Sequence, residues 1–401
     1  MKKIAILGAG IYNMRIFDLL KDAGYYTIAI DGNPQAPAAA RANEFVHLNF
    51  SDKETLLNYV KNNPVDAILP VNDWGTRPAA YVSTILGLKG ISEEAALAAT
   101  DKGIMRDTWQ KNSLPNPPYF IFSTLQELRE KIRSVGFPCV VKPTDSGGSG
   151  RGISVLQNEK DIEWAFNFAI PFVRNNRLIC EGFVEGTELT IESISVHGQV
   201  HILAISDKVK PDLRTRVATS LNYPANLTTE QLNLVKDTVK RAVKSLGIHT
   251  GMAHTEAIIN GDKITLVETG ARGGGGHIFH TIIEAVSGVN APVAMANLLT
   301  GEIPDLNHIQ QRGSVYRFFN PPYGILKSVK GMDEIKNWPG ILDIGMIKQP
   351  GDVVGDLKNS LERAGHVITS GLNRDEAVNL ADRVEETLIW ELEPVPVSVP
   401  E

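Results

Sequence analysis

The chain has 401 residues, 43% of them hydrophobic and 21% charged, with a formal net charge of −6. That length predicts two or three domains, and that composition an ordinary globular enzyme. The acidic balance argues against a nucleic-acid footprint, so an anionic ligand must be met by local cations, helix N-termini or metal.

The two cysteines, Cys139 and Cys180, lie in apolar, strand-like runs and make neither a disulfide framework nor a zinc spacing. Buried thiols in a reducing cytoplasm are the expectation. The opening MKKIAILGAG reads as a strand and turn rather than a signal peptide. No run reaches the ~18 apolar residues that a membrane span needs.

Lys3–Leu7 is a predicted strand, followed by a Gly8-Ala-Gly10 turn, a helix over 11–23 and a second strand ending at Asp31. This βαβ opening predicts a doubly wound, Rossmann-like domain. Gly8, Gly10 and Asp31 also make half of a dinucleotide fingerprint, whose third glycine is replaced by Asn13. Further elements are a helix over 53–62, a buried strand over 66–71 and one long helix over 92–110 carrying Asp101 and Lys102. The LPNPP stretch at 114–118 marks a domain joint.

After it comes GFPCVVKPTDSGGSGRGIS, residues 136–154. A strand carrying Lys142 runs into a loop with four glycines and two serines. Backbone N–H groups of such a loop can cradle phosphate, with Lys142 as a point charge. The alternative is a flexible hairpin tip. In EGFVEGTE, an extended segment from Glu181 to Val184 offers backbone groups to an adenine edge, and Glu188 stands where a carboxylate can meet ribose hydroxyls. Residues 206–224 read as a loop carrying Lys208, Lys210, Arg214 and Arg216.

The stretch HTEAIINGDKITLVETGARGGGG, from His254, reads as a hairpin bearing Glu256 and Glu268, followed by Arg272 and four glycines. Two carboxylates brought together suit Mg²⁺, and an adjacent arginine can stabilise developing oxyanions. Side chains alternate faces, so both glutamates share a face only with a three-residue loop, 260–262, or a bulge. Otherwise the hairpin is a solvated one. From Gly313 short strands alternate with turns, a last helix spans 374–390, and the proline-rich tail frays.

Together the motifs DK (Asp101, Lys102), VVKP (Lys142), DSGGSGRGI (145–153), EGFVEGTE (181–188), HTEAII (Glu256) and LVETGARGGGG (Glu268, Arg272) resemble the ATP-grasp superfamily of carboxylate–amine ligases. The C-terminal YRFFNPPYGILKSVKG and KQPGDVV are similar to the L-amino-acid ligase, or dipeptide synthase, branch. The resemblance implies an α/β and α+β architecture. A Rossmann-like domain over 1–112 would precede an ATP-grasp domain over 113–312 with a lid at about 115–185, then a small α+β subdomain over 313–392 and a tail over 393–401. It implies ATP and Mg²⁺ (or Mn²⁺) as cofactors, and small-molecule carboxylate and amine substrates. It implies no nucleic-acid or membrane partner, and the family is often dimeric.

By the same resemblance Lys102 and Lys142 contact ATP phosphates, and the loop Ser146, Gly147, Gly148, Ser149, Gly150 closes over them. Glu181, Phe183 and Val184 hold adenine and Glu188 the ribose. Glu256 and Glu268 bind the metal, and Arg272, with Lys142, serves catalysis. Arg272, His277 and Arg317 are the expected substrate contacts. Gly270 departs from the pattern, since the family commonly has Asn there. Three other readings stay open: a ligase of purine or carbamoyl-phosphate-type metabolism, a non-catalytic nucleotide-binding protein, and an NAD-dependent oxidoreductase.

Overall fold

Lys3–Leu7 reads KIAIL, apolar without alternation, as a strand covered on both faces must be. In the computed structural model, which describes residues 1–145, 150–210, 217–357 and 362–395, it lies inside a four-stranded parallel sheet. The strand order is Glu44–His47, Tyr26–Asp31, Lys3–Leu7, Ala67–Pro70. Ala5 stands opposite Ile28 on one side and Ile68 on the other. Leu56 and Val60 of the helix Lys53–Asn62, and Ala79 and Val82 of the helix Asp73–Leu86, pack on this sheet. The Rossmann-like expectation holds.

The glycine turn serves packing. Gly8 has φ +114°, a conformation that costs glycine little, and Asn72 crowds the place of its missing Cβ. Asp31 accepts hydrogen bonds from the N–H of Ala9 at 2.7 Å and of Asn33 at 2.8 Å. The acid that a ribose would need is therefore holding the chain's own backbone.

Two helix expectations need correction. The long helix over 92–110 is two helices, Glu93–Ala98 and Lys102–Lys111. Asp101 adopts an extended conformation between them and caps the second through the N–H groups of Gly103 and Ile104, which sets Lys102 in its first turn. The helix Asp73–Leu86 was not expected, because Gly75 and Pro78 disguise it. Pro78 is tolerated near the start of a helix and Asn72 supplies the cap.

A second, antiparallel sheet has the order Tyr119–Phe122, Leu178–Gly182, Cys139–Pro143, Ser154–Leu156. Both cysteines are buried in its core. A third layer pairs Thr187–Val196 with Gly251–Asn260, and Gly251–Asn260 with Lys263–Gly270. The hairpin turns through Gly261 and Asp262, with Asn260 opposite Lys263, so the three-residue loop is absent. The other expected device is present. The register shifts after Glu256, leaving Val267 as the extra residue, and Glu256 then lies directly opposite Glu268.

By density of contacts the chain forms two units, 1–203 with 227–280 and 289–308, and 204–226 with 281–288 and 309–401. The second unit holds the sheet Ser220–Tyr223, Gly313–Phe319, Gly365–Gly371, Ile341–Met346 and the helix Arg374–Thr387. That helix stops before Trp390. Residues Ile389–Glu393 are a strand paired with Gly324–Lys330, where a helix to 390 was expected. Among the described residues no single helix is long and apolar enough to cross a membrane.

The Asn72 cap sets the start of the helix that carries Asp73 and Arg77. Asn72→Ala should cost about 1 kcal/mol, the usual worth of such a cap, read as a lowered denaturant midpoint with an unchanged slope.

Candidate active site

All the groups of this site belong to the first unit. The bulge at Val267 is its geometric key. With Glu256 opposite both Glu268 and Thr190, and His254 opposite Glu192, the residues Glu188, Glu192, His254, Glu256 and Glu268 share one face of three strands. The carbonyl of Val267, freed from the ladder, accepts a hydrogen bond from Arg106 Nη2 at 2.7 Å.

Arg106 was not singled out in the sequence. It is buried, and its guanidinium grips Glu181 through Nε to Oε1 at 2.9 Å and Nη2 to Oε2 at 3.1 Å. Lys142 reaches the same carboxylate, Nζ to Oε2, at 2.7 Å. Val140 faces Glu181 across the strands, so Lys142, two residues on, points to the same side. Burial alone would push the Glu181 carboxyl up. The two cations outweigh it and hold the carboxyl down at about 2. Burial pushes the Lys142 ammonium below its ordinary value despite Glu181.

Lys102 lies 3.0 Å from Glu268 Oε2. Its N–H also donates to the Thr144 carbonyl, which ties the helix start to the strand of Lys142. Burial opposes its charge, but Glu268 and Asp73 prevail and raise its pKa.

Arg272 forms a two-pronged pair with Asp73, Nε to Oδ1 at 2.8 Å and Nη2 to Oδ2 at 2.9 Å, and donates from Nη1 to the Gly273 carbonyl. Burial would raise the Asp73 carboxyl, yet Arg272 and then Lys102 bring it below the ordinary carboxylate range. A Cβ at Gly270 would come within 3.2 Å of Asp73 Oδ1. The position that commonly holds Asn thus lies against a carboxylate from the unexpected helix.

His254 is held by Glu192, Nδ1 to Oε1 at 2.5 Å, and its Nε2 is 3.7 Å from Glu256. Burial works against its charge, but the two carboxylates raise it to about 9. Glu192 also accepts from the Gly274 N–H at 3.0 Å, and a Cβ at Gly274 would strike it. The glycine run after Arg272 thereby lets backbone approach a buried carboxylate.

Of these groups Asp73, Lys102, Glu268 and Gly270 border a cavity of about 240 Å³, lined also by Thr269, Ser51, Lys53, Trp74, Arg77, Asp145 and Arg174. Glu256 and Glu268, hard-oxygen donors on one face of a hairpin with Asp73 beside Gly270, fit a divalent cation such as Mg²⁺.

The other expected residues are placed as follows. Ser146, Gly147, Gly148 and Ser149 lie outside the described residues, as do Arg214 and Arg216. Gly150 is exposed with φ +69°. Phe183 is exposed, and its N–H donates to the Pro138 carbonyl. Val184 follows it in an extended stretch before the strand of Glu188. His277 packs edge-on against Tyr12 and His280. Arg317 belongs to the second unit, where Asp382, Glu385 and Ser220 engage it.

Residues 107–279 match the ATP-grasp domain, and residues 317–393 match L-amino acid ligase C-terminal domain 2. The chain is 32% identical over 203 residues to a formate-dependent phosphoribosylglycinamide formyltransferase of Paraburkholderia xenovorans, an alignment covering 48% of this chain and 50% of that protein. The chain thus spans about half the length of that curated relative. Its fold is similar to that of an L-amino acid ligase from Bacillus licheniformis, with a TM-score of 0.84, 22% identity and coverage of 98% and 99% of the two chains. It is also similar to a phosphoribosylglycinamide synthetase from Anaerococcus prevotii, with a TM-score of 0.77, 21% identity and coverage of 98% and 100%.

The Glu181 pair makes a pH prediction. Its folded pKa of about 2 lies below the ordinary 4.5, so its stabilisation is present above about 4.5 and is lost as pH falls toward 2. Glu181→Gln should cost roughly 3–5 kcal/mol at pH 7, because it strands two buried cations. In urea unfolding the gap between wild type and variant should narrow at pH 3; an equal gap at both pH values would refute the assignment.

Proposed function

This chain carries an ATP-grasp domain followed by an L-amino acid ligase C-terminal domain, and from that premise we propose that it is an ADP-forming carboxylate–amine ligase. ATP-grasp enzymes work with ATP and Mg²⁺. The observation that carries the reading is the convergence of Lys102, Glu268, Asp73 and Gly270 on one cavity, with Arg272 fixed on Asp73 and the Lys142–Glu181–Arg106 cluster behind it. The NAD reading has no comparable site, because Asp31 is engaged by its own turn.

The reaction runs in two steps. A carboxylate oxygen attacks the γ-phosphorus of ATP, the bond to the β-phosphate oxygen breaks, and ADP leaves. The amine nitrogen then attacks the acyl phosphate carbonyl, phosphate leaves, and the nitrogen gives up a proton. Lys102 and Lys142 hold phosphate oxygens as point charges in a buried setting. Glu256 and Glu268 would hold a divalent cation, which would supply charge stabilisation to the transferring phosphoryl group. Arg272 uses three of its five N–H donors on Asp73 and Gly273 among the described residues, leaving two for the tetrahedral oxyanion. Asp73 fixes the direction in which those donors point.

For the substrates, the curated relatives favour formate and a phosphoribosylglycinamide-type amine over amino-acid ligation. A second reading, the joining of two amino acids, is favoured by the match over 317–393 and by the fold likeness along the whole chain. The test is ADP and phosphate release with ATP and Mg²⁺, crossing formate, bicarbonate and amino acids with phosphoribosylglycinamide and amino-acid amines. Formate with the ribosyl amine should give turnover; release only with amino-acid pairs would replace it by the second reading. Glu268→Ala should lower turnover at least ~100-fold while ADP still binds, since metal charge stabilisation is worth several kcal/mol. Unchanged turnover would remove Glu268 from the metal site.

A further inference from the structure

The cavity lining carries two groups of charges. One is the carboxylates Asp73 and Glu268 with Lys102. The other is Lys53, Arg77 and Arg174 with the carboxylate Asp145, on which both arginines close. Arg77 Nη1 is 3.0 Å from Asp145 Oδ2 and Arg174 Nη1 is 3.5 Å from Oδ1. Arg77 Nη2 is buried with no hydrogen-bond partner among the described residues. The Arg174 guanidinium lies over Trp74, its Cζ 3.7 Å from the ring centroid. The Lys53 ammonium sits 4.0 Å from the centroid of Tyr81, whose hydroxyl donates to Glu54 at 2.6 Å. The two arginines share one carboxylate, in a chain whose overall charge is −6.

Two guanidinium groups that share one carboxylate leave a net positive charge, with Lys53 on the same lining. An anion arriving there offsets that charge and receives charge-assisted hydrogen bonds, one of them from the buried Arg77 Nη2. The cluster is set apart from the groups assigned to the nucleotide: Lys102 is on Glu268, Lys142 on Glu181, and Arg272 on Asp73. Trp74 adds a flat apolar wall beside it.

Resting on the ligase reading, we infer that the Lys53, Arg77 and Arg174 group of this cavity binds an anionic group on the amine substrate and so selects acceptors that carry an anion at a distance from the nucleophilic nitrogen. The anion docks on these cations, which leaves Lys102 and Glu268 of the same lining for the phosphoryl group. Both a carboxylate, as in an amino acid, and a phosphate monoester, as in a ribosyl amine, offer this chemistry. A neutral amine of equal size loses the docking contact and enters without orientation.

The test compares glycine, 2-aminoethyl phosphate and ethylamine as acceptors in the ADP-release assay, with wild type, Lys53→Met and Arg174→Met. The anionic acceptors should have a KM at least about tenfold below that of ethylamine in wild type, the usual worth of a charge-assisted contact. That preference should collapse in both variants, with the change in acceptor KM rather than in KM for ATP. Preference for glycine alone identifies a carboxylate, and for 2-aminoethyl phosphate alone a phosphate monoester. Equal KM values for all three amines, or a preference untouched by both substitutions, would overturn the inference and leave the ligase reading standing. A second measurement covers the case in which no acid and amine pair gives turnover. Inorganic phosphate and glycine are titrated against tryptophan fluorescence, with Trp74→Phe as the control. Quenching that needs Trp74 and weakens at least about tenfold in Lys53→Met supports the anion site even if the ligase reading fails. Its absence overturns the site.

Discussion

Like charges cannot be stored in a protein interior unless each is answered. The first unit keeps Lys102, Lys142, Arg106 and Arg272 out of water, close enough that Lys102 and Arg106 depress the titration of Lys142. A cluster of that kind suits a polyphosphate, but an isolated ionised group in a low-dielectric interior costs far more than a fold can absorb. The rest of the site follows from this constraint. Glu181 answers Arg106 and Lys142, Glu268 answers Lys102, and Asp73 answers Arg272. Each carboxylate lets the cations be assembled before any phosphate arrives.

The same constraint explains why the elements meet where they do. Glu181 sits on a strand of the second sheet, Arg106 on the helix before it, and the carbonyl that Arg106 Nη2 also reaches belongs to the bulge of the acidic hairpin. A regular ladder would have used the Val267 carbonyl and put Glu268 on the face opposite Glu256. One irregular residue therefore serves two purposes. It brings two carboxylates to one face, and it offers a carbonyl to a buried guanidinium.

Much of this was legible in the sequence. Lys142, Glu181, Glu256, Glu268 and Arg272 stand in local patterns and Lys102 in the order of motifs that carries the family resemblance, and five of the six are joined through two charge clusters that share Lys102's field. Period-two alternation demands an odd count, which left a three-residue loop or a bulge, and the structure has the bulge. What escaped were the partners. Asp73 lies 199 residues from Arg272, and Arg106 lies 75 from Glu181. Periodicity and turn chemistry report neighbours along the chain and carry no signal for such pairs. Asp73 is hidden further by the glycine and proline of DWGTRP, which weaken the helical pattern although the proline falls where a helix tolerates it. The break at Asp101 was missed for the opposite reason: helical composition runs on through it, and only the cap marks the restart.

The departure at Gly270 takes a different meaning in three dimensions. Along the chain it is a lost ligand. In space, a Cβ at 270 would press to 3.2 Å from Asp73 Oδ1, tighter than ordinary contact, and would stand 3.7 Å from Arg272 Cγ. Asp73 cannot yield easily, because both of its oxygens are fixed on Arg272. A side chain at 270 and the Asp73–Arg272 pair therefore compete for one volume, and this chain has settled in favour of the pair. The oxygen donor missing from the hairpin is matched by a carboxylate brought from the N-terminal sheet layer, 197 residues earlier in sequence by the difference of 270 and 73. A carboxylate thus stands where a neutral amide is common, and the arginine gains a fixed direction.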